Sequence, residues 1–226
     1  MEARKAFLPP FDLTADAPYK VYDSQEIAGD DSWDQISREL DACLVKSSDD
    51  QGWKSALMDR TKWFDSTCAI MNGIHDVNKK GMKYRIKTIV FLNHLLNFHT
   101  KSSKAFMKGT VEEIAKAMKI PHDICNRFLE LFSVPTQHQG SSSYTVTKQL
   151  KDKCIVHILI LYLIAHGREM KVASVNKLCD DIKLEIREAI TIVREAGCKC
   201  AKDKSGYVSV SLTVPLEFPL PKRGRK

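Results

Sequence analysis

The sequence predicts a mainly α protein with small β hairpins, two tandem copies of one unit behind an extended lead-in, and three observations predict it. The first is a weak internal repeat: Val111, Ile114, Met118, Ile124, Phe128 and Leu131 recur 61 or 62 residues later as Val172, Val175, Cys179, Ile186, Ile190 and Val193. The second is that each copy reads as a short helix, a tight break and a longer helix. The third is a polar segment after each copy that can fold back as a hairpin. That order is the order of a winged helix, a variant of the helix-turn-helix, so a tandem winged helix is the expected fold.

Composition limits what such a chain does. With 226 residues and 43% hydrophobic content it can bury one or two cores, and no apolar run reaches the length of a membrane span. The opening MEARKAFLPPFD is too polar and proline-interrupted for a secretory signal, so a soluble chain kept inside the cell is expected. Cys43, Cys68, Cys125, Cys154, Cys179, Cys198 and Cys200 form an odd set with no C-x-x-C pair, and free thiols are expected. Charge is divided unevenly. Residues 1–60 hold 7 Lys/Arg against 13 Asp/Glu, net −6, and residues 61–226 hold 28 against 15, net +13. A surplus of that size favours a polyanionic partner, because each cation placed on a phosphate releases condensed counterions.

Residues 1–65 read as an acidic lead-in, punctuated by Pro9-Pro10, Pro18 and Gly29-Asp30-Asp31, with short helices around Trp33–Leu44 and Trp53–Phe64. Trp33, Ile36 and Leu40 share a helix face, which serves either to dock on a larger body or to cover the chain's own downstream part. The first unit spans residues 66–149. A broad apolar helix runs from Ile86 to Leu96; Thr110, with Glu113 three residues on, caps a short helix Val111–Met118; Pro121 opens the longer helix His122–Phe132; Gln137–Ser143 is a loop, and Tyr144–Thr147 a returning strand. The second unit spans residues 150–219. Cys154–Ala165 is a buried central helix, Ser174–Asp181 the short helix and Leu184–Ala196 the longer one, closed by Gly197. Strands Lys199–Lys202 and Tyr207–Thr213 flank the turn Asp203–Gly206. Residues 220–226 are a short basic tail, with the chemistry of nuclear import or added phosphate contact.

The chemistry concentrates on the second long helix. Ile186, Ala189, Ile190 and Val193 face the core, while Lys183, Arg187, Thr191 and Arg194 follow one another at steps of four, four and three on another face. In a winged helix this element commonly enters the major groove, and Lys199, Lys202 and Lys204 on the hairpin reach the adjacent backbone. Glu185, Glu188 and Glu195 lie beside that stripe, so intrahelical ion pairs are the competing use of it. The matching helix of the first unit carries one arginine; Lys119, Arg127, Lys148 and Lys151 there form a weaker, backbone-only face, and binding to duplex DNA is expected to be largely independent of sequence.

Several segments together resemble a known family. They are Lys151-Asp152-Lys153 opening a long apolar helix, Glu195-Ala196-Gly197-Cys198-Lys199 before the hairpin, and the closing Val214-Pro215-Leu216-Glu217-Phe218-Pro219. In that order they resemble the C-terminal region of the forty-nine-kilodalton subunit of RNA polymerase I, over about residues 19–222. The resemblance implies a tandem winged helix behind a linker that travels over the polymerase, contact with promoter or upstream duplex DNA, and a part in initiation and elongation on ribosomal RNA genes, in the nucleus and nucleolus. It implies RNA polymerase I core subunits as partners, with the lead-in, and Trp33, Ile36 and Leu40 on it, as the docking segment. It also implies a heterodimer partner, although nothing here matches the family's dimerisation half.

No catalytic signature stands against this. The chain has no G-x-x-x-x-G-K-[ST], no H-E-x-x-H and no G-x-S-x-G. His157, His166 and Cys198-x-Cys200 lack partners at metal-ligand spacing, so no metal, no cofactor and no enzymatic activity are expected. The alternative function is a winged-helix module of a nuclear complex that docks on protein alone.

Overall fold

The computed structural model describes residues 2–46, 52–102, 107–138 and 141–219. Helices α1 (Glu2–Phe7), α2 (Ser24–Ala28), α3 (Asp30–Lys46), α4 (Gly52–Met58), α5 (Asp65–Asn72) and α6 (Met82–Ser102) precede the first sheet. Then come β1 (Met107–Lys108), α7 (Val111–Met118), α8 (His122–Phe132), β2 (Val134–His138) and β3 (Ser141–Thr145). After them the chain forms α9 (Lys148–Ala165), β4 (Lys171–Val172), α10 (Asn176–Ile182), α11 (Ile186–Glu195), β5 (Cys198–Lys202) and β6 (Val208–Leu212). The fold is mainly helical with two small antiparallel sheets, ordered β1-β3-β2 and β4-β6-β5.

α6 and α9 form the centre. Residues 88 to 98 of α6 and 154 to 165 of α9 are all buried, and the two helices pack along each other. A helix that is apolar all round is stable only when covered on every side. The remaining elements supply that cover, including the N-terminal ones. The lead-in expected to be extended is largely helical and packs inward, because its apolar side chains find partners on α6 and α8. Trp33, Ile36 and Leu40 are 4%, 0% and 1% exposed. The Trp33 ring lies 5.2 Å from that of Tyr84, with the Lys87 ammonium 4.6 Å from its centroid. Of the two uses open to these three, docking on a larger body or covering the chain's own downstream part, their burial fits the second, which takes their apolar surface out of water within the chain itself.

The repeat is present, at a different period. Four pairs of features stand 64 residues apart: β1 and β4 begin at 107 and 171, left-handed turn residues fall at 119 and 183, α8 and α11 begin at 122 and 186, and β2 and β5 begin at 134 and 198. Lys119 and Lys183 both have φ +54°, and each is followed by the same reversed hydrogen bond, Ile120 N to Ala115 O at 3.0 Å and Leu184 N to Cys179 O at 2.9 Å. This is the capping geometry that ends a helix by curling its chain back over the last turn. The 61-residue spacing of the short-helix pairs is three residues from 64, most of a helical turn, so an apolar face still matches when slipped by that much; the 62-residue pairs of the longer helix are two residues out and do not pair equivalent positions.

Other boundaries shift for local reasons. Of the segment Gln137–Ser143, expected as a loop, residues 137–138 and 141–143 are strand: Thr136 pairs with Ser143, whose hydroxyl donates to the Thr136 carbonyl at 2.9 Å, so polar side chains sit on a regular ladder. Thr147, expected in that strand, instead caps α9, accepting from Leu150 N at 3.3 Å, and starts it six residues early. α4 ends at Met58, and Phe64 precedes α5 rather than ending α4. α7 and α8 match their expected spans, and the Thr110–Glu113 capping box is formed in both directions. The tail 220–226 lies outside the described residues.

Candidate nucleic-acid interface

The candidate surface begins at the turn between α10 and α11. Lys183 is not on the helix as expected; it is the left-handed cap of α10, and α11 starts three residues later after Glu185. Arg187, Thr191 and Arg194 then follow at four and three residues, one exposed face of α11, while Ala189 and Val193 are 1% exposed on the other. Thr191 donates its hydroxyl to the Arg187 carbonyl at 3.0 Å and keeps its oxygen lone pairs outward. Burial raises the pKa of the Cys200 thiol on β5 and the nearby Arg194 opposes that rise, so the end of α11 lies beside the hairpin.

The hairpin carries the second group of cations. β5 and β6 pair from Cys198 with Leu212 to Lys202 with Val208. Cys198, Val208, Val210 and Leu212 face the core, and Lys199, Lys202 and Lys204 are exposed. Asp203 holds the turn by accepting from Tyr207 N at 2.8 Å. Lys199 stands 4.0 Å from Glu217, a pair so exposed that it is worth little in water.

The competing use of the stripe is answered by distance. Among the described residues, no carboxylate lies within 4.0 Å of the side-chain nitrogens of Lys183, Arg187, Arg194, Lys202 or Lys204. Glu195 instead stands 3.7 Å from Arg4 of α1. The row of cations is thus not neutralised by its neighbouring glutamates.

The equivalent face of the first unit is acidic and partly covered: Asp123 and Arg127 are half-buried and Glu130 is exposed. At the 64-residue period, Arg187, Thr191 and Arg194 correspond to Asp123, Arg127 and Glu130. Ser32 of α3 donates to the Asp123 carbonyl at 3.3 Å, and Arg38 stands 3.8 Å from the Asp123 carboxylate. Arg127 donates from Nε and Nη2 to the Ile27 carbonyl at 3.4 and 3.3 Å, beside Gly29. Arg127, expected as a backbone contact, has its guanidinium turned to the N-terminal segment. Lys119 and Lys148 are exposed, and Lys151 is half-buried on α9.

Residues 1–219 match the A49-like RNA polymerase I associated factors. The chain belongs to that family. A curated relative, the DNA-directed RNA polymerase I subunit rpa49 of Schizosaccharomyces pombe, is 24% identical over 240 aligned positions, taking in 99% of this chain and 53% of the relative. The chain therefore spans about half the length of the curated relative it matches. Membership bears out the resemblance drawn from the sequence.

Two things about this A49-like chain were not legible in its sequence. The cover laid by α2 and α3 over α8 depends on contacts 90 to 100 residues apart in the chain, for which local periodicity holds no signal. β1 and β4, two residues each, are too short to alternate visibly. His157, weighed as a ligand, is buried edge-on to Phe132, and burial lowers its pKa to about 3. Its Nδ1 is 2.8 Å from the Lys153 carbonyl, as that of His166 is from Tyr162. Both histidines act within α9.

Proposed function

We propose that this chain is part of a non-catalytic RNA polymerase I subunit and that it holds duplex DNA, without reading its sequence, in transcription of ribosomal RNA genes. Its two repeated units act as winged helices of unequal use. The second carries DNA: Arg187, Thr191 and Arg194 on α11 meet the groove and its edge, and Lys199, Lys202 and Lys204 grip the flanking phosphates. The first, with its equivalent face acidic and partly covered by α2 and α3, serves as a scaffold. The polymerase-bound, nuclear and nucleolar setting follows from the family.

The observation that carries the reading is the row of exposed cations on α11 and its hairpin, with no carboxylate among the described residues within 4.0 Å of Arg187 or Arg194, in a chain of this family. Lysine and arginine on backbone phosphates bind tightly and without base preference. The test is binding of the chain to random-sequence duplex DNA across a salt series, beside Arg187→Glu/Arg194→Glu. The expected result is an affinity that falls steeply with salt and drops about tenfold or more in the variant. An equal affinity for the variant, or no binding at low salt, rejects the reading.

A further inference from the structure

We propose that a cleft between the two repeated units is a phosphate site that grips nucleic-acid backbone through Lys62, Lys101 and Lys183, an inference that rests on the DNA-holding role above. The cleft is a cavity of about 650 Å³. Its walls include Lys62, Phe64, Asn97, His99, Lys101 and Lys183, and among the described residues no aspartate or glutamate lines it. The three lysines come from separate parts of the chain: the segment before α5, the last turn of α6, and the turn between α10 and α11.

Their backbones are fixed. The side-chain amides of Asn93 and Asn97 each donate to the Lys62 carbonyl at 2.9 Å, and Asn93 Oδ1 accepts from Phe64 N at 3.3 Å. Ser66 N donates to the Asp181 carboxylate at 2.9 Å, tying the segment after Lys62 to α10. Lys183 is held in its left-handed turn by bonds from its own N–H to Asp180 and from Leu184 N to Cys179. Lys101 donates to the Met118 carbonyl, one residue before Lys119. Burial first, and then the charges of Lys119 and Lys62, hold the Lys101 pKa down.

Cations converging on one cavity without a counter-charge repel one another, and an anion with several charged oxygens relieves that repulsion. Lysine ammoniums bind phosphate as point charges and read no base. Burial keeps the His99 pKa at about 4, so that side chain is neutral at pH 7 and its ring is wall rather than charge. Lys183 stands both in the cleft and just ahead of the α11 row, so one strand's phosphates pass from the cleft onto that row.

The test compares the whole wild-type chain with Lys62→Glu/Lys101→Glu and with Lys183→Gly, the latter keeping the fold because glycine takes the left-handed backbone at no steric cost. Inorganic tripolyphosphate is titrated against the unfolding temperature, and duplex and single-stranded DNA of equal length against fluorescence anisotropy. The expected result is a saturable rise in unfolding temperature for wild type, absent in the double lysine variant. The same variant binds DNA about tenfold more weakly, with a salt slope shallower by about two. Lys183→Gly loses affinity while unfolding at the wild-type temperature or above. A loss with both DNA forms assigns the cleft to strand phosphates generally, and a loss with single strands alone assigns it to an unpaired strand. A tripolyphosphate effect unchanged in both variants overturns the proposal. So does wild-type DNA affinity in the double lysine variant beside a loss in Arg187→Glu/Arg194→Glu, which leaves the DNA-holding role standing. Wild type that binds no DNA rejects that role itself, and the tripolyphosphate titration then decides alone whether the cleft takes phosphate.

Discussion

Arg127 shows how one residue's surroundings decide its use. A lone arginine on an otherwise polar helix face has the composition of a phosphate contact. Two of its nitrogens nonetheless point at the Ile27 carbonyl, and its side chain lies 3.5 Å from where a Cβ on Gly29 would stand. Gly29 has φ +78°, a backbone that larger residues resist, and the guanidinium fills the space beside it. Arg127→Ala is expected to lower stability by about 1–3 kcal/mol, since a buried carbonyl loses a charged donor. It is expected to leave duplex affinity within about twofold, since no phosphate contact is lost. Urea unfolding beside anisotropy separates the two: a large affinity loss at unchanged stability would return Arg127 to the DNA surface.

At the scale of elements, the helices with strong local signals were legible in the sequence. α7 has a capping box and α8 opens after Pro121, and both lie where the residues place them, because caps and proline act within a few positions. The apolar run marks α9 from Cys154 on, but its first turns are polar and only the capping Thr147 signals its start at Lys148. The N-terminal helices were half legible: the Trp33, Ile36 and Leu40 face was recognised, but what covers it depends on α6 and α8, far along the chain. For the candidate site, the cations of α11 and the hairpin could be read from spacing. The turn position of Lys183, the acidic and partly covered face of α8, and the Lys62 and Lys101 wall of the cleft could not, since each is made by chain segments meeting in space.

For the whole molecule, buried neutral histidines predict a loss of stability in acid. Burial lowers the pKa of His94 to about 4 and of His157 to about 3, and burial followed by the charge of Lys151 lowers His99 to about 4, against 6.5 unfolded. The folded chain then binds fewer protons than the unfolded one below pH 6.5, so the stability these groups contribute is complete above 6.5 and is lost as pH falls towards 4 and 3. Chemical unfolding at stepwise pH is expected to show the decline beginning near pH 6.5. His94→Gln/His157→Gln is expected to flatten it, and a wild-type curve level from pH 7 to 4 would refute the assignment.

Whole-molecule asymmetry also carries the functional account, in which two units of one design differ because one presents an acidic face partly covered by α2 and α3 and the other an exposed row of cations. The most direct measurement places a photo-crosslinking residue at position 191 of α11 in one variant and at position 130 of α8 in another, each mixed with the same random-sequence duplex. The account predicts crosslinks from 191 and none above background from 130. Equal crosslinking from both positions, or crosslinking from 130 alone, would contradict it.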